Sequence, residues 1–190
     1  MAAVSADPVL ELQIASTWDG QPAAADEIAS IRLSRTAGGL RLDVDAPWHG
    51  DPSPPHAPGS CDGLWNFEVV ELFLVSAAQR YLEIELGPYG HYLALRFAGI
   101  RRRVGLPLDL ADLQCHRRSG RWSAVTDLPW TWLAAPIESV NAFAIHGQGP
   151  HRRYLAHAAT GGESRNFHRL GAYPQLDVAL RSIFAPPPAG

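Results

Sequence analysis

Residues 64–75 read LWNFEVVELFLV, and this stretch decides the fold class. Every residue in it except Asn66, Glu68 and Glu71 is apolar, with the branched and aromatic side chains that are typical of strands. Apolar residues occupy both odd and even positions, so the stretch predicts a central strand that is covered on both faces. Buried carboxylates are costly unless they are paired or hydrogen-bonded. Glu68 and Glu71 therefore indicate a polar site or an ion pair beside this strand.

Further runs of apolar or alternating residues recur along the chain, separated by clusters of Gly, Pro, Asp and Ser. Helical periodicity never persists beyond about two turns, and a short helical turn is expected only within Pro129–Ser139. Many short strands joined by tight turns predict an all-β protein with antiparallel sheets. The predicted strands are Leu10–Ala15, Ser30–Arg35, Leu40–Ala46, Trp65–Val75, Arg80–Leu86, His91–Phe97, Leu113–Arg117, Arg121–Asp127, Val140–His146 and Arg153–His157.

The two strands after the central one are predicted to form a hairpin. Alternation places Tyr81, Glu83 and Glu85 on one face of its first strand and aliphatic side chains on the other. A two-residue tip at Pro88–Tyr89 makes Arg96 a diagonal neighbour of Glu83, which predicts an ion pair between them.

The turn through Ser76–Gln79 decides whether Glu71 shares a face with Glu83. An even-length loop places the two carboxylates on opposite faces, because side chains alternate along a strand. An odd-length or bulged loop places them on the same face, and the sequence leaves both arrangements open.

Length and composition bound the class of protein. The chain has 190 residues, of which 46% are hydrophobic, enough for one domain with a substantial core. A net charge of -3 disfavours nucleic acid and anionic membranes as partners. No secretory signal or membrane-spanning run is visible, and Cys61 and Cys115 read as free thiols. We expect one cytoplasmic domain over residues 1–184, a disordered proline-rich tail over residues 185–190, and a monomer or homodimer.

A set of short motifs follows in order along the chain: TWDG (17–20), LDVDAPWHGDPSPP (42–55), LWNFEVVELFLV (64–75), YLEIELGPYGHYL (81–93), LPW (128–130), FAIHG (143–147) and NFH (166–168). Together they resemble an uncharacterised conserved family of single-domain proteins with a DOMON-like β-sandwich, similar to family 9 carbohydrate-binding modules. The likeness runs from about Thr17 to Tyr173.

The resemblance implies an antiparallel β-sandwich of jelly-roll type whose concave face holds a ligand. In related modules that ligand is a sugar, sometimes accompanied by structural calcium, and other DOMON domains bind haem. No cofactor is predicted here, although calcium stays open and metal ligands stay unassigned. His49, Asp51 and His56 share one loop without a tight ligand pattern, which favours a solvated loop. A haem would need a bis-histidine pair such as His91 and His146, because the only methionine begins the chain.

Tryptophan and charged side chains are the candidate ligand contacts. Trp48 lies in the Pro- and Gly-rich loop Pro47–Gly63, and Trp65 begins the central strand beside it, so we expect the two to flank one cleft. Core packing, ion pairs and backbone hydrogen bonds are the structural alternatives for the tryptophans, carboxylates and histidines respectively. The candidate ligand-binding residues are Trp48, Trp65, Glu71, Glu83, Arg96, His146 and His168, and no catalytic residue is assigned.

The favoured function is noncatalytic binding of a carbohydrate or similar polar small molecule in the cleft of the sandwich. A cytoplasmic location favours an intracellular sugar derivative over a polysaccharide. The first alternative is an enzyme that acts on a sugar or small metabolite through paired carboxylates, and two carboxyls facing an open cleft, one with a raised pKa, would support it. The second alternative is a protein-interaction or haem-binding domain.

Overall fold

Two sheets pack face to face in a computed structural model that describes residues 8–133 and 136–186. The strands are β1 (Val9–Ile14), β2 (Ser16–Thr17), β3 (Ala29–Arg35), β4 (Gly39–Pro47), β5 (Gly59–Ser60), β6 (Val69–Ser76), β7 (Arg80–Leu86), β8 (His91–Ala98), β9 (Arg103–Val104), β10 (Gln114–Arg118), β11 (Arg121–Pro129), β12 (Ile137–His146) and β13 (Arg153–Ala156). One sheet has five strands in the order β1-β3-β4-β11-β10. The other has eight, in the order β2-β13-β12-β6-β7-β8-β5 with β9 beside β8. Strand pairing is antiparallel except between β5 and β8. The predicted all-β sandwich is thereby confirmed.

The main core lies between the two sheets and follows from alternation along each strand. The even positions of β6, which are Val70, Leu72 and Leu74, face inward and join a continuous aliphatic cluster. Trp122 of β11 is the largest side chain in this core and is almost fully buried. The removal of this apolar surface from water is the main favourable contribution to folding.

The opposite, outer face of the eight-stranded sheet is also covered, as the apolar odd positions of the central strand predicted. Phe73 of β6 packs edge-on against Phe143 of β12 at 5.4 Å between ring centres and lies 6.0 Å from the ring of Tyr173. The cover comes from two segments, residues 60–67 and residues 157–175, which add apolar side chains to this second cluster. We call residues 157–175 the covering segment.

The central strand begins later than predicted. Residues Leu64–Asn66 form a single 3-10 turn, and β6 starts at Val69. The turn follows Gly63, whose φ of 79° lies in the left-handed region that glycine adopts without steric cost. Trp65 is therefore half-exposed in the turn that precedes β6, instead of being the first residue of a strand.

The β6–β7 turn determines whether Glu71 and Glu83 lie on the same face of the sheet. It has three residues, Ala77–Gln79, and Glu71 pairs directly with Glu85. This odd length places Glu71, Glu83 and Glu85 together on the outer face of the sheet, because neighbouring paired residues point the same way.

The β7–β8 turn corrects one predicted contact. Glu83 pairs with Leu95, and Arg96 pairs with Leu82, one residue away from the predicted register. A turn centred on Tyr89, with Gly90 at a φ of +82°, produces the shift. A one-residue slip moves every side chain to the other face. Arg96 therefore lies on the face opposite to Glu83, and the predicted ion pair between them is wrong.

The remaining predicted and observed elements differ mainly at chain connections. The expected helical turn appears as Trp130–Trp132, and residues 134–135 lie outside the described part of the chain. A short helix, α1 (Val178–Arg181), was not predicted, and Asp177 caps it by accepting the Leu180 N–H. The predicted tail falls mostly outside the described residues, which stop at 186. Within residues 8–133 and 136–186, no helix is long and apolar enough to cross a membrane.

Candidate functional site

A cleft of about 590 Å³ opens on the outer face of the eight-stranded sheet, beside the covering segment. Its floor includes Glu71 of β6 and Glu83 of β7. Its walls come from the turn before β6, the loop after β8, and the covering segment. The cleft has the size and mixed apolar and polar lining of small-molecule sites.

Three glutamates lie side by side beneath this cleft. Glu71, Glu83 and Glu85 are each no more than 5% exposed. The Glu83 and Glu85 carboxyls can hydrogen-bond each other when one of them carries a proton. No other partner lies within reach of one oxygen of Glu83 and both oxygens of Glu85 among the described residues. Glu71 and Glu83 line the cleft, whereas Glu85 lies beside them on the same face of the sheet and does not.

Burial raises the pKa of all three carboxyls. The pKa of Glu83 rises to about 7, mainly through desolvation. The pKa values of Glu71 and Glu85 are raised well above the usual range, because desolvation is reinforced by the charges of the neighbouring carboxyls. The three carboxyls therefore do not all ionise at neutral pH, and a carboxyl that keeps its proton can donate a hydrogen bond.

A hydrogen-bonded chain fixes His168 beside this floor. The Arg101 backbone N–H donates to the Tyr81 hydroxyl at 3.0 Å, and that hydroxyl lies 2.7 Å from His168 Nδ1. Burial, with a smaller effect of Arg101, lowers the pKa of His168 to about 4, so its ring is neutral at pH 7. Because the Tyr81 hydroxyl already accepts the Arg101 N–H, we assign it as the hydrogen-bond donor to Nδ1, which places the proton of the neutral ring on Nε2. His168 Nδ1 is 3.9 Å from a Glu83 carboxyl oxygen.

Arginine and aromatic side chains form the walls. The Arg152 guanidinium donates to the carbonyl oxygens of Gly147, Trp65 and Phe67 at 3.0, 2.7 and 3.2 Å. The Arg165 guanidinium lies 3.5 Å from the centre of the Tyr154 ring. These contacts hold two positive charges at the cleft without using a carboxylate.

The predicted site residues divide into two groups. Trp65, Glu71, Glu83 and His168 line the cleft. Trp48, Arg96 and His146 do not.

Each of the three residues outside the cleft has another environment. The Trp48 ring is exposed and packs under the Arg117 guanidinium at 5.1 Å. Arg96 lies on the opposite face of the hairpin for the register reason given above. His146 lies at the end of β12, where its ring stacks on His49 with 3.5 Å between ring centres.

The sequence analysis missed the arginines of the walls and, apart from Trp65, the aromatic side chains beside them. Arg101, Arg103, Arg152 and Arg165 line the cleft, and none of them is among the predicted ligand contacts. The NFH motif at 166–168 was the one available signal, since Arg165 directly precedes it. Nothing in local spacing shows that these loops converge on one cleft.

A second polar cluster explains Glu68. Its carboxyl oxygens accept the backbone N–H groups of His49 and Asp51 at 3.0 and 3.2 Å, which holds the loop after β4 against the sheet. Glu27 lies nearby, 3.1 Å from His146 Nε2, and accepts two hydrogen bonds from Arg153. The space among these side chains is about 10 Å³, no more than one water molecule requires. The role of this cluster is therefore structural.

We expect Glu27→Gln to lower the free energy of unfolding at pH 7 by about 2 kcal/mol, because it removes charge-assisted hydrogen bonds. The hydrogen bonds from Arg153 hold the pKa of Glu27 at about 2, below its usual 4.5. The stabilisation is therefore present above pH 4.5 and is lost as the pH falls toward 2. Urea unfolding at both ends of this range measures it, with the exposed Glu11→Gln as control. A difference from wild type that persists unchanged at pH 2 would contradict this assignment.

In residues 8–133 and 136–186, no three His, Cys, Asp or Glu side chains are arranged to hold a metal ion. His91 and His146, the bis-histidine pair considered from the sequence, are engaged separately: His91 Nε2 is 2.9 Å from the His56 carbonyl oxygen, and His146 contacts Glu27. Neither histidine lines the cleft.

Sequence comparison places the chain among known relatives. It is 36% identical over 172 residues to the UPF0462 protein C4orf33 homolog of Mus musculus, a match that covers 85% of this chain and 88% of the relative. The chain belongs to the UPF0462 family. The Danio rerio homolog of the UPF0462 protein is 33% identical over 183 residues, covering 92% of this chain and 91% of the relative. The human UPF0462 protein C4orf33 is 34% identical over 172 residues, covering 85% and 84%. No family model matches the chain.

Structural comparison adds a more distant neighbour to this UPF0462 chain. It is the crystal structure of a "putative carbohydrate-binding protein" from Bacteroides uniformis ATCC 8492. The TM-score is 0.62 at 16% sequence identity, and the match covers 88% of this chain and 84% of the neighbour. At this identity the likeness establishes a shared fold.

Proposed function

We propose that this protein binds a carbohydrate or a similar polar small molecule in the cleft on the outer face of its eight-stranded sheet. The observation that carries the proposal is the convergence of Glu71, Glu83 and His168 on one cleft of about 590 Å³, beside the half-exposed ring of Trp65. A space of this size with a few convergent polar groups and an aromatic surface is typical of small-molecule sites. The hydroxyl groups of a ligand can both donate to and accept from such side chains.

The lining of the cleft fits a polyol. A protonated Glu71 donates a hydrogen bond, Glu83 accepts or donates according to its state, and His168 Nε2–H adds a donor. Trp65, which is 44% exposed, offers an apolar ring surface on which a sugar can stack. Few convergent polar groups beside an aromatic surface are typical of a site that selects by hydrogen bonding.

Two analogies support the same class of ligand. The resemblance to DOMON-like and family 9 carbohydrate-binding modules points to a ligand on the concave face of the sandwich. The Bacteroides uniformis neighbour carries the description "putative carbohydrate-binding protein". A shared fold does not determine function, so the weight of the proposal rests on the cleft residues.

Two tryptophans provide a matched test of the location. We expect Trp65→Ala to weaken sugar binding at least about tenfold, the loss of roughly 1.4 kcal/mol of contact, and Trp48→Ala to leave it unchanged. The reason is that Trp65 lines the cleft and Trp48 does not. Isothermal titration calorimetry with mono- and oligosaccharides, sugar phosphates and sugar acids measures the change. Equal losses in both tryptophan variants, or no binding of any compound by the wild type, would contradict the proposal.

Glu71→Gln should also lose affinity for the sugar while keeping the fold, which the same titration measures.

A second candidate function is catalysis on the bound sugar. Glu71 and Glu83 both face an open cleft and both have raised pKa values, that of Glu83 reaching about 7. A carboxyl with a pKa near neutrality suits general acid–base work, and glycoside hydrolysis uses a pair of carboxyl groups. Incubation of the protein with a bound oligosaccharide, followed by NMR, would reveal turnover. Turnover by the wild type that is lost in Glu83→Gln would establish that the protein is an enzyme. An oligosaccharide that stays unchanged would show that the protein binds it without catalysis.

A further inference from the structure

Four arginines line the cleft, and three of them have no carboxylate oxygen within ion-pair distance among the described residues. Arg101 and Arg103 come from the β8–β9 region, Arg152 from the turn before β13, and Arg165 from the covering segment. Because four positive side chains line the same cleft, the electrostatic potential inside it is positive, and the low-dielectric walls strengthen that potential.

The hydrogen bonds of these arginines are made almost entirely with neutral groups. Arg101 donates to the Asn166 amide oxygen at 3.0 Å, Arg152 donates to carbonyl oxygens, and Arg165 packs on Tyr154. In the described ranges, none of these three has a carboxylate oxygen within 4.0 Å. Only Arg103 forms an ion pair, at 3.6 Å from the exposed Asp62.

The acidic floor offsets this charge only in part. Burial and the neighbouring Glu83 raise the pKa of Glu71 well above its usual range, and the proximity of Arg152 offsets only part of that rise. Burial also raises the pKa of Glu83 to about 7, against the opposing effects of Glu85 and Arg101, and His168 is neutral at that pH. Glu71 and Glu83 together therefore carry less than the two negative charges that they would carry in water at neutral pH.

We propose that the ligand carries an anionic group, a phosphate or a carboxylate, which Arg101, Arg152 and Arg165 bind at the mouth of the cleft while its hydroxylated part lies on the glutamate floor. This inference rests on the proposed function and specifies its ligand class. Arginine presents a planar fork of donors that matches carboxylate and phosphate oxygens, and such charge-assisted bonds are about twice as strong as neutral ones. A negative group placed deeper, against Glu71 and Glu83, would be repelled once either one ionised.

Titration of the wild type with a charge-matched series tests the inference. The probes are glucose, glucose 6-phosphate, glucuronate and inorganic phosphate. We expect at least one of the two charged sugars to bind about tenfold or more tightly than glucose, which corresponds to one charge-assisted hydrogen bond. The comparison of glucose 6-phosphate with glucuronate identifies which anionic group the arginines select.

Arginine variants locate the effect. Arg165→Gln and Arg101→Gln should each lower the affinity for the charged sugar about tenfold and leave the affinity for glucose unchanged. Both side chains belong to exposed residues, so the fold should be retained, which circular dichroism checks. Arg165→Lys should keep part of the affinity because the charge remains. Arg118→Gln, at the edge strand β10 of the other sheet, removes the same charge elsewhere and should have no effect.

The outcomes separate this inference from the proposed function. Glucose binding as tightly as its charged counterparts would overturn the anionic ligand and leave carbohydrate binding in place. Inorganic phosphate binding as tightly as glucose 6-phosphate, and lost in Arg165→Gln, would support the anion site and count against a sugar. Binding of none of the four probes would overturn both.

Discussion

The Glu83→Gln protein is expected to be more stable than the wild type by about 3 kcal/mol at pH 7 and equally stable near pH 4.5. Burial raises the pKa of Glu83 from its usual 4.5 to about 7. Between those two values the unfolded chain releases a proton that the folded protein retains, so wild-type stability falls by about 1.4 kcal/mol for each pH unit. Glutamine has the same shape and does not ionise, so the variant escapes this loss.

The difference between the two proteins is the quantity to measure, because other groups titrate in the opposite direction. His168 has its pKa lowered to about 4, so wild-type stability is reduced as the pH falls from 6.5 toward 4. That contribution is present in both proteins. The pKa values of Glu71 and Glu85 should fall in the variant, because the Glu83 charge no longer raises them, and this change adds to the gain in stability at pH 7. Urea unfolding of both proteins near pH 4.5 and at pH 7 measures the difference, with Glu11→Gln as the control that removes one exposed carboxyl elsewhere. Equal stability of Glu83→Gln and wild type at pH 7 would show that the carboxylate is satisfied within the fold.

A gain of stability in this variant would also bear on function. Strongly perturbed carboxyls cluster at functional sites, and stabilising changes at active sites commonly reduce function. Glu83→Gln should therefore combine higher stability with weaker or altered ligand binding. A variant that gains stability and binds the ligand unchanged would remove Glu83 from the site.

Phe143→Ala is expected to lower the free energy of unfolding by about 4 kcal/mol, the usual cost of deleting a fully buried phenylalanine. Phe143 has no solvent exposure and stacks on Phe167 of the covering segment, with 4.0 Å between ring centres. Its ring also meets Phe73 edge-on at 5.4 Å. The substitution therefore leaves a cavity in the second cluster and removes the surface on which the covering segment rests.

The covering segment should respond more than the rest of the fold. Because Phe167 is followed directly by His168, loosening of this stack should displace the wall of the cleft and speed amide hydrogen exchange across residues 157–175. Phe167→Ala is the matched variant: its ring is only partly buried, so it removes the same stack at a smaller cost, about 1 kcal/mol. Hydrogen exchange measured by mass spectrometry, combined with urea unfolding, distinguishes the two. Unchanged exchange in the covering segment of Phe143→Ala would contradict this account.

Much of the fold could be predicted because it depends on local alternation. The β6 stretch carries apolar residues at both odd and even positions, and it does lie in the centre of a sheet that is covered on both faces. The two-residue strands β2, β5 and β9 were missed, since two residues are too few to show a period. The site was predicted in part: the residues carried by the predicted strands and the NFH motif include Glu71, Glu83 and His168, all of which line the cleft.

What the amino-acid sequence determined by itself was the class of fold and the presence of costly carboxylates at its centre, because both follow from the chemistry of neighbouring residues. The tertiary structure decided which of those carboxylates meet. A three-residue turn brings Glu71 beside Glu85, and a turn centred on Tyr89 moves Arg96 to the other face. It also decided that Arg101, Arg152 and Arg165 surround one cleft. Side-chain direction reverses with each residue added to a turn, and loops far apart in the chain meet only when the sheet is assembled, so neither outcome is encoded in any local pattern.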